Sequence, residues 1–201
     1  MALKLNRAKR EVAAEAARIM ATEGQRNYLA AKQKAAARLG FSGALALPSN
    51  KDVENELRSY QNLYGGNGRQ EHLNRLRETA LEAMDFLIEF RPKLVGPVLD
   101  GTADHHSRVS LHVFSEIPDE VGLFLAENGI PFREESRRIR WHTGSHKDLA
   151  LLVTEAGDVT VELCLYQTKD LRQPPPSPVD GRPQRRASRQ EVQFSIKMGS
   201  G

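Results

Sequence analysis

Residues 94–114 read LVGPVLDGTADHHSRVSLHVF, and this stretch marks the main change of periodicity in the chain. A short apolar run precedes Gly96, a second glycine follows at Gly101, and apolar and polar residues alternate from Val109 onward. Alternation with a period of two is typical of a strand with one buried face. The stretch therefore predicts two strands joined by a glycine-containing turn.

The 90 residues before this stretch have the apolar spacing of helices. Helices are predicted over residues 7–23, over 25–39, between Ser49 or Asn50 and Gly65, and over 69–90. Their apolar stripes are interpreted as core packing and not as a cofactor site.

Downstream, strands alternate with one further helix. A helix is predicted from Pro118 to Gly129, followed by strands over 132–141, 148–155 and 158–166, the last two joined by a hairpin at Ala156 and Gly157. Helices that precede a mostly antiparallel or mixed sheet indicate an α+β fold.

The prolines at 174–176 and Pro178 cannot lie inside a sheet, so an extended C-terminal arm is predicted, with a short last helix capped by Ser188 and Glu191. The chain is thus divided into a helical region (1–90), an α+β core (91–166) and a Pro/Arg-rich arm (167–201).

Composition excludes several classes of protein. No apolar stretch approaches the length of a membrane helix, and no apolar segment follows the basic N-terminus as in a secretory signal. The single cysteine, Cys164, lies in a strand and is interpreted as a buried side chain in a cytoplasmic protein. A P-loop, a Gly-x-Ser-x-Gly elbow and paired zinc cysteines are all absent from the sequence.

The order of strand, Gly96, Gly101, Ser107 and alternating strand resembles the DNA polymerase β-type nucleotidyltransferase superfamily over about residues 93–166. In that superfamily a strand ends in Gly-Ser, and a Ser-Asp-x-Asp strand and a later strand supply three carboxylates. These carboxylates hold two divalent ions that bridge the triphosphate and activate the attacking hydroxyl. Here Pro97 stands in place of the serine, and Arg108 and Ser110 stand at the two aspartate positions.

The resemblance implies a nucleotide site with its metal positions altered. It implies phosphate or nucleotide contacts by six residues: Gly96, Gly101, Thr102, Ser107, Arg108 and Arg138. Glu162 matches the third carboxylate, and Asp100 or Asp104 could assist it in catalysis. Mg²⁺ or Mn²⁺ is the implied cofactor of an active enzyme.

Two further groups of polar residues have alternative interpretations. His112 and Glu162, with one of Asp100, Asp104 or His106, could form a rearranged site for Zn²⁺ or Mn²⁺. Alternatively, His112 could be a hydrogen-bonded strand residue and Asp104-His105-His106 a solvated loop. Arg137, Arg140, Arg185 and Arg186 could contact nucleic acid, while charges on residues 137–140 also protect an edge strand.

The sequence therefore predicts a nucleotidyltransferase-like protein with impaired catalysis that binds nucleotide or RNA through the glycine turn and its arginines. The alternative is a noncatalytic protein-interaction subunit that uses the helical half and the C-terminal arm. No membrane partner is expected.

Overall fold

The structure is a computed structural model that describes residues 2–41, 47–64, 68–117 and 119–199. Contacts between backbone positions divide the chain into two compact units. The first contains residues up to Arg69 together with Asp104–His106 and Pro178–Asp180, and the second contains the remaining residues. The chain is an α+β protein, as the sequence predicts.

The first unit is built from three helices: α1 (Ala2–Glu23), α2 (Tyr28–Arg38) and α3 (Asn50–Tyr64). Alanines of α1 and α2, with Val12, Ile19 and Val53, form its core. Small side chains let helices approach closely and lose little conformational entropy. Ser49 caps α3, because its hydroxyl accepts from the Asp52 amide and donates to the Asp52 carboxylate.

The second unit is a five-stranded mixed sheet with helices. Its elements in chain order are α4 (Gly68–Phe86), β1 (Lys93–Val95), α5 (Pro97–Asp100), β2 (Val109–Ser115), α6 (Glu120–Glu127), β3 (Arg133–Arg140), β4 (His146–Ala156), β5 (Val159–Gln167) and α7 (Arg189–Gly199). The strand order is β1-β2-β5-β4-β3. Strands β2 and β5 are parallel, and the other neighbours are antiparallel.

The two faces of the sheet have different environments. One face carries Val109, Leu111 and Val113 of β2 into the main core, which α4, α6 and α7 complete. The opposite face carries Ser110 and His112 beside a smaller apolar cluster around Phe114 and Tyr166. The alternation predicted for this strand is therefore observed, and it directs the polar residues away from the helices.

Strand β1 is shorter than the apolar run 93–99 suggests. Gly96 has φ 73° and ψ −155°, a conformation that is essentially restricted to glycine. Pro97 follows and has no backbone donor for a strand ladder. Residues Pro97–Asp100 instead form the single turn α5.

The predicted capping of the last helix is confirmed. The Glu191 carboxylate accepts from both the amide and the hydroxyl of Ser188, at 2.7 and 2.6 Å. Pro118, the predicted start of the helix before β3, lies outside the described residues, and α6 begins at Glu120. None of the helices in the described ranges is long and apolar enough to cross a membrane.

Candidate functional site

Strand register brings the end of β1 close to Ser110 and Glu162. Val95 pairs with Ser110 across the antiparallel β1–β2 ladder, and Ser110 pairs with Glu162 across the parallel β2–β5 ladder. The Ser110 hydroxyl donates to Glu162 Oε1 at 2.7 Å. Ser110 and Glu162 are therefore direct neighbours on one face of the sheet.

Glu162 is a buried carboxylate, 2% exposed, that two arginines neutralise. Arg137 Nη2 donates to Glu162 Oε2 at 2.8 Å, and Arg108 Nη1 lies 3.6 Å from the same oxygen. A buried charge is stable only when it is paired and hydrogen-bonded. Both oxygens of Glu162 are therefore engaged by this chain's own side chains.

The ion pairs continue outward along the same face. Arg108 Nη1 also donates to Glu135 at 3.1 Å, and Arg133 donates to Glu135 at 3.0 Å. These hydrogen bonds, first that from Arg133 and then that from Arg108, lower the pKa of Glu135. For Arg137, burial opposes the charge, but the hydrogen bond and attraction to Glu162 outweigh it, and the pKa is raised.

A second polar contact on this face joins His112 to Arg186. Arg186 Nε donates to His112 Nδ1 at 2.9 Å, so His112 is unprotonated at that nitrogen. Burial, followed by the charges of Arg186 and Arg137, lowers the pKa of His112 to about 3. His112 is therefore a neutral imidazole that accepts a hydrogen bond.

Backbone carbonyl oxygens and aromatic rings surround the Arg186 guanidinium. Its Nη1 donates to the carbonyl oxygens of Asp170 and Leu171, and the group stacks over the rings of Phe114 and Tyr166. Burial is the main effect that lowers the pKa of Arg186. Arg186 is thus part of the packing over this face and is not a free nucleic-acid contact.

His112 and Glu162, which were predicted as possible metal ligands, have separate protein partners. His112 is bonded to Arg186, whereas Glu162 is bonded to Ser110 and Arg137. Within the described ranges, no three His, Cys, Asp or Glu side chains gather into an arrangement that could hold a metal ion. The groups beside Glu162 are instead the guanidinium groups of Arg137 and Arg108.

The glycine turn has the expected place next to this cluster. Gly96 directly follows Val95, the residue paired with Ser110, and a side chain built on Gly96 would meet open space. Gly101 has φ 75° and ends α5, and Thr102 is buried and donates its amide to the Pro97 carbonyl at 2.9 Å. The backbone at Gly96 is therefore sterically open.

The other predicted residues lie in several parts of the chain. Asp100 is exposed at the end of α5, and Asp104, whose carboxylate accepts from the His106 amide at 2.9 Å, belongs to the helical unit. Strand alternation places Arg138 and Arg140 on the face of β3 opposite Arg137. Ser107 is half-buried, and Arg185 is exposed.

Sequence reasoning missed Arg133 and Glu135, which continue the ion pairs on β3. Arg133, Glu135 and Arg137 occur at every second position, which places all three on one face of a strand. This spacing was the signal available in the sequence. It also missed Phe114 and Tyr166 as the aromatic surface beneath Arg186. Searches against family models, curated proteins and solved structures found no match to this chain.

Proposed function

We propose that this chain is a nucleotidyltransferase-like protein that binds a nucleotide without divalent metal and does not carry out the two-metal reaction. The observation that carries the proposal is the pairing of Glu162 with Arg137 at 2.8 Å. A carboxylate at the position of a metal ligand is here neutralised by a guanidinium. In this account arginine side chains, and not divalent metal ions, supply the positive charge that faces the phosphates.

The chemistry of arginine supports this role. A guanidinium is always charged and presents a planar set of donors that matches the oxygens of a phosphate. Arg137 is 46% exposed and Arg108 is 26% exposed, so both side chains reach solvent while they contact Glu162. A phosphate group can therefore share donors that the buried carboxylate does not use.

The glycine turn provides the second part of the proposed site. The turn begins next to the residue paired with Ser110, and the space beside Gly96 is open. Backbone amides can approach a phosphate closely where no side chain intervenes. We therefore place the phosphates between the Gly96 turn and the Arg108 side chain.

Calorimetric titration with ATP, CTP, GTP and UTP in EDTA tests the proposal. Arg108→Ala is expected to weaken the binding of at least one nucleotide about tenfold, which corresponds to ~1.4 kcal/mol. Arg138→Ala is the matched control, because Arg138 is exposed on the opposite face of the sheet. Wild-type protein that binds none of the four nucleotides, or equal weakening by both substitutions, would contradict the proposal.

A protein-interaction subunit is the second candidate, favoured by apolar side chains on the surface of α7. Phe194 and Met198 lie one helical turn apart and are 63% and 69% exposed. Such an exposed pair is typical of a contact surface. Under this second proposal nucleotide titrations give no heat, and Phe194→Asp abolishes any association that the wild-type protein shows in sedimentation velocity experiments.

A further inference from the structure

The pairing of β4 with β5 does not reach the turn of the β3–β4 hairpin. Strand β3 is an edge of the sheet, and the register of β4 with β5 begins only at Leu151. Residues 146–150 of β4 are therefore paired with β3 alone among the described strands. This end of the hairpin is paired as a two-stranded ribbon, in which Leu149 is buried in the smaller apolar cluster while Arg137 and Lys147 are exposed.

One face of this ribbon carries positive charge and an aromatic ring. Residues paired across the ladder lie on the same face of the sheet. Arg137 is paired with Leu149, and Ile139 is paired with Lys147, so these four side chains share one face. Trp141 packs against the same apolar cluster as Ile139, which places it on this face too. The charged strand residues of the ribbon on this face, Arg137 and Lys147, are both cationic.

The ammonium group of Lys147 lies over the ring of Trp141, which is itself half-buried. Lys147 Nζ lies 4.1 Å from the ring centroid, and Lys147 is an exposed residue. A nucleobase has a π-face that can replace the ammonium group on the indole ring. The displaced ammonium group would then be free to pair with a phosphate.

Arg137 connects this ribbon to the proposed nucleotide site, because the same side chain binds Glu162. Trp141 lies four positions after Arg137, which corresponds to about 13 Å along an extended chain. Arg108, Arg137, Lys147 and Trp141 thus lie on one face of the sheet. Exposed cationic groups beside an aromatic ring are the features with which proteins bind single-stranded nucleic acid, and here Arg108 and Arg137 also pair with Glu162.

We propose that a single-stranded nucleic acid lies along this face of the β3–β4 hairpin, with phosphates at Arg137 and Lys147 and a base stacked on Trp141. This proposal rests on the proposed function, because it extends the same site from a nucleotide to a polymer. Arg138 and Arg140 face the other way and take no part in it.

Trp141 is the only tryptophan in the chain, so its intrinsic fluorescence reports directly on the proposed contact. Oligo(U) and oligo(dT) of about twelve nucleotides, the length range of single-strand sites, are titrated alongside inorganic polyphosphate. Both oligonucleotides, or one of them if the 2′-hydroxyl is recognised, are expected to quench the fluorescence. Polyphosphate has charge but no bases and is expected to leave it unchanged.

Variants separate stacking from charge through the anisotropy of a labelled oligonucleotide. Trp141→Ala is expected to weaken binding about tenfold, while Trp141→Phe retains most of it. Lys147→Ala is expected to reduce the slope of log affinity against log salt by about 0.7. Arg138→Ala, on the opposite face, is the matched control and should bind as wild type does.

The proposal is overturned if Trp141→Ala and Lys147→Ala bind like wild type, or if Arg138→Ala weakens binding as much as Lys147→Ala. If Trp141→Ala does not fold, Lys147→Ala and Trp141→Phe decide the question. Absence of quenching with intact nucleotide binding in EDTA would reject this inference alone. Absence of nucleotide binding with intact quenching would reject the nucleotide site and leave the ribbon contact.

Discussion

Arg137 on β3 donates a 2.8 Å hydrogen bond to Glu162 on β5, reaching across the intervening strand β4. Glu162 is almost fully buried, whereas Arg137 is 46% exposed. The negative charge of the pair is therefore buried against the sheet, while its positive charge reaches solvent. The site therefore differs from a divalent-metal site, in which the carboxylate oxygens remain available to bind the metal ion.

Removal of Arg137 is expected to destabilise the fold. Arg137→Ala leaves the buried Glu162 charge with Ser110 and the more distant Arg108, so the free energy of unfolding should fall by about 2 kcal/mol. Fully buried pairs lose roughly 3–5 kcal/mol, and the exposure of Arg137 reduces the effect. Urea denaturation measures it.

A double-mutant cycle tests whether the loss of stability comes from the Arg137–Glu162 pair and not from the loss of a charge alone. Glu162→Gln added to Arg137→Ala should restore part of the stability, because the unpaired buried charge is gone. Arg138→Ala should change stability by less than about 0.5 kcal/mol. Additive effects of the Arg137 and Glu162 substitutions would show that the two residues are not coupled.

Acid is expected to destabilise the protein through His112. Its pKa is about 3 in the folded protein, against 6.5 for an unperturbed histidine, so only the unfolded chain takes up this proton between those values. The stability from neutral His112 is complete above about pH 6.5 and falls by up to ~1.4 kcal/mol per pH unit toward pH 3.

His112→Gln can still accept a hydrogen bond from Arg186 but cannot be protonated in this pH range. Urea midpoints of this variant between pH 7 and pH 4 should therefore fall less steeply than those of wild type. His146→Gln, at an exposed position on the hairpin, is the control. Parallel curves for wild type and His112→Gln would refute the assignment of the acid sensitivity to His112.

Two carboxylates placed at the superfamily positions should create a metal site. In Arg108→Asp/Ser110→Asp, both new side chains share a face with Glu162, and three carboxylates suit Mn²⁺. We expect this variant to bind Mn²⁺ in electron paramagnetic resonance titrations, and wild type to bind none.

Ser136→Asp/Arg138→Asp is the matched control for that redesign. It has the same two-residue spacing on the opposite face of β3, away from Glu162. A folded Arg108→Asp/Ser110→Asp variant that binds no more Mn²⁺ than this control would show that the three positions do not converge on one point.

The Cys164 thiol is expected to be inert in the folded protein. Burial raises its pKa to about 12, so almost no thiolate exists at pH 8. A disulfide reagent such as Ellman's reagent should titrate no thiol in buffer and one per chain in denaturant, since the chain has one cysteine. Rapid reaction of the native protein would contradict the buried position.

The local features of the site could be predicted because strand geometry has a fixed period. Alternation from Val109 placed Ser110 and His112 on one face, and the position of Glu162 in an apolar strand indicated a neighbouring buried carboxylate. A glycine-containing turn between two strands was predicted as well, although the end of β1 at Val95, before Gly96 and Pro97, was not.

The partners of these residues could not be predicted, because they depend on contacts between distant parts of the chain. The pairing of Glu162 with Arg137 requires β4 to lie between β5 and β3 in one register. Arg186 reaches His112 from 74 residues away in the chain. Sequence periodicity assigns a side chain to a face and leaves its neighbours on that face undetermined.

The most direct test of the central claim is to measure nucleotide affinity in EDTA and again in millimolar Mg²⁺ by calorimetry. If arginines supply the positive charge at this site, a nucleotide binds in EDTA with an affinity within about threefold of that in Mg²⁺. Binding that appears only with Mg²⁺ or Mn²⁺, and is lost in Glu162→Ala, would contradict the account and indicate a working metal site.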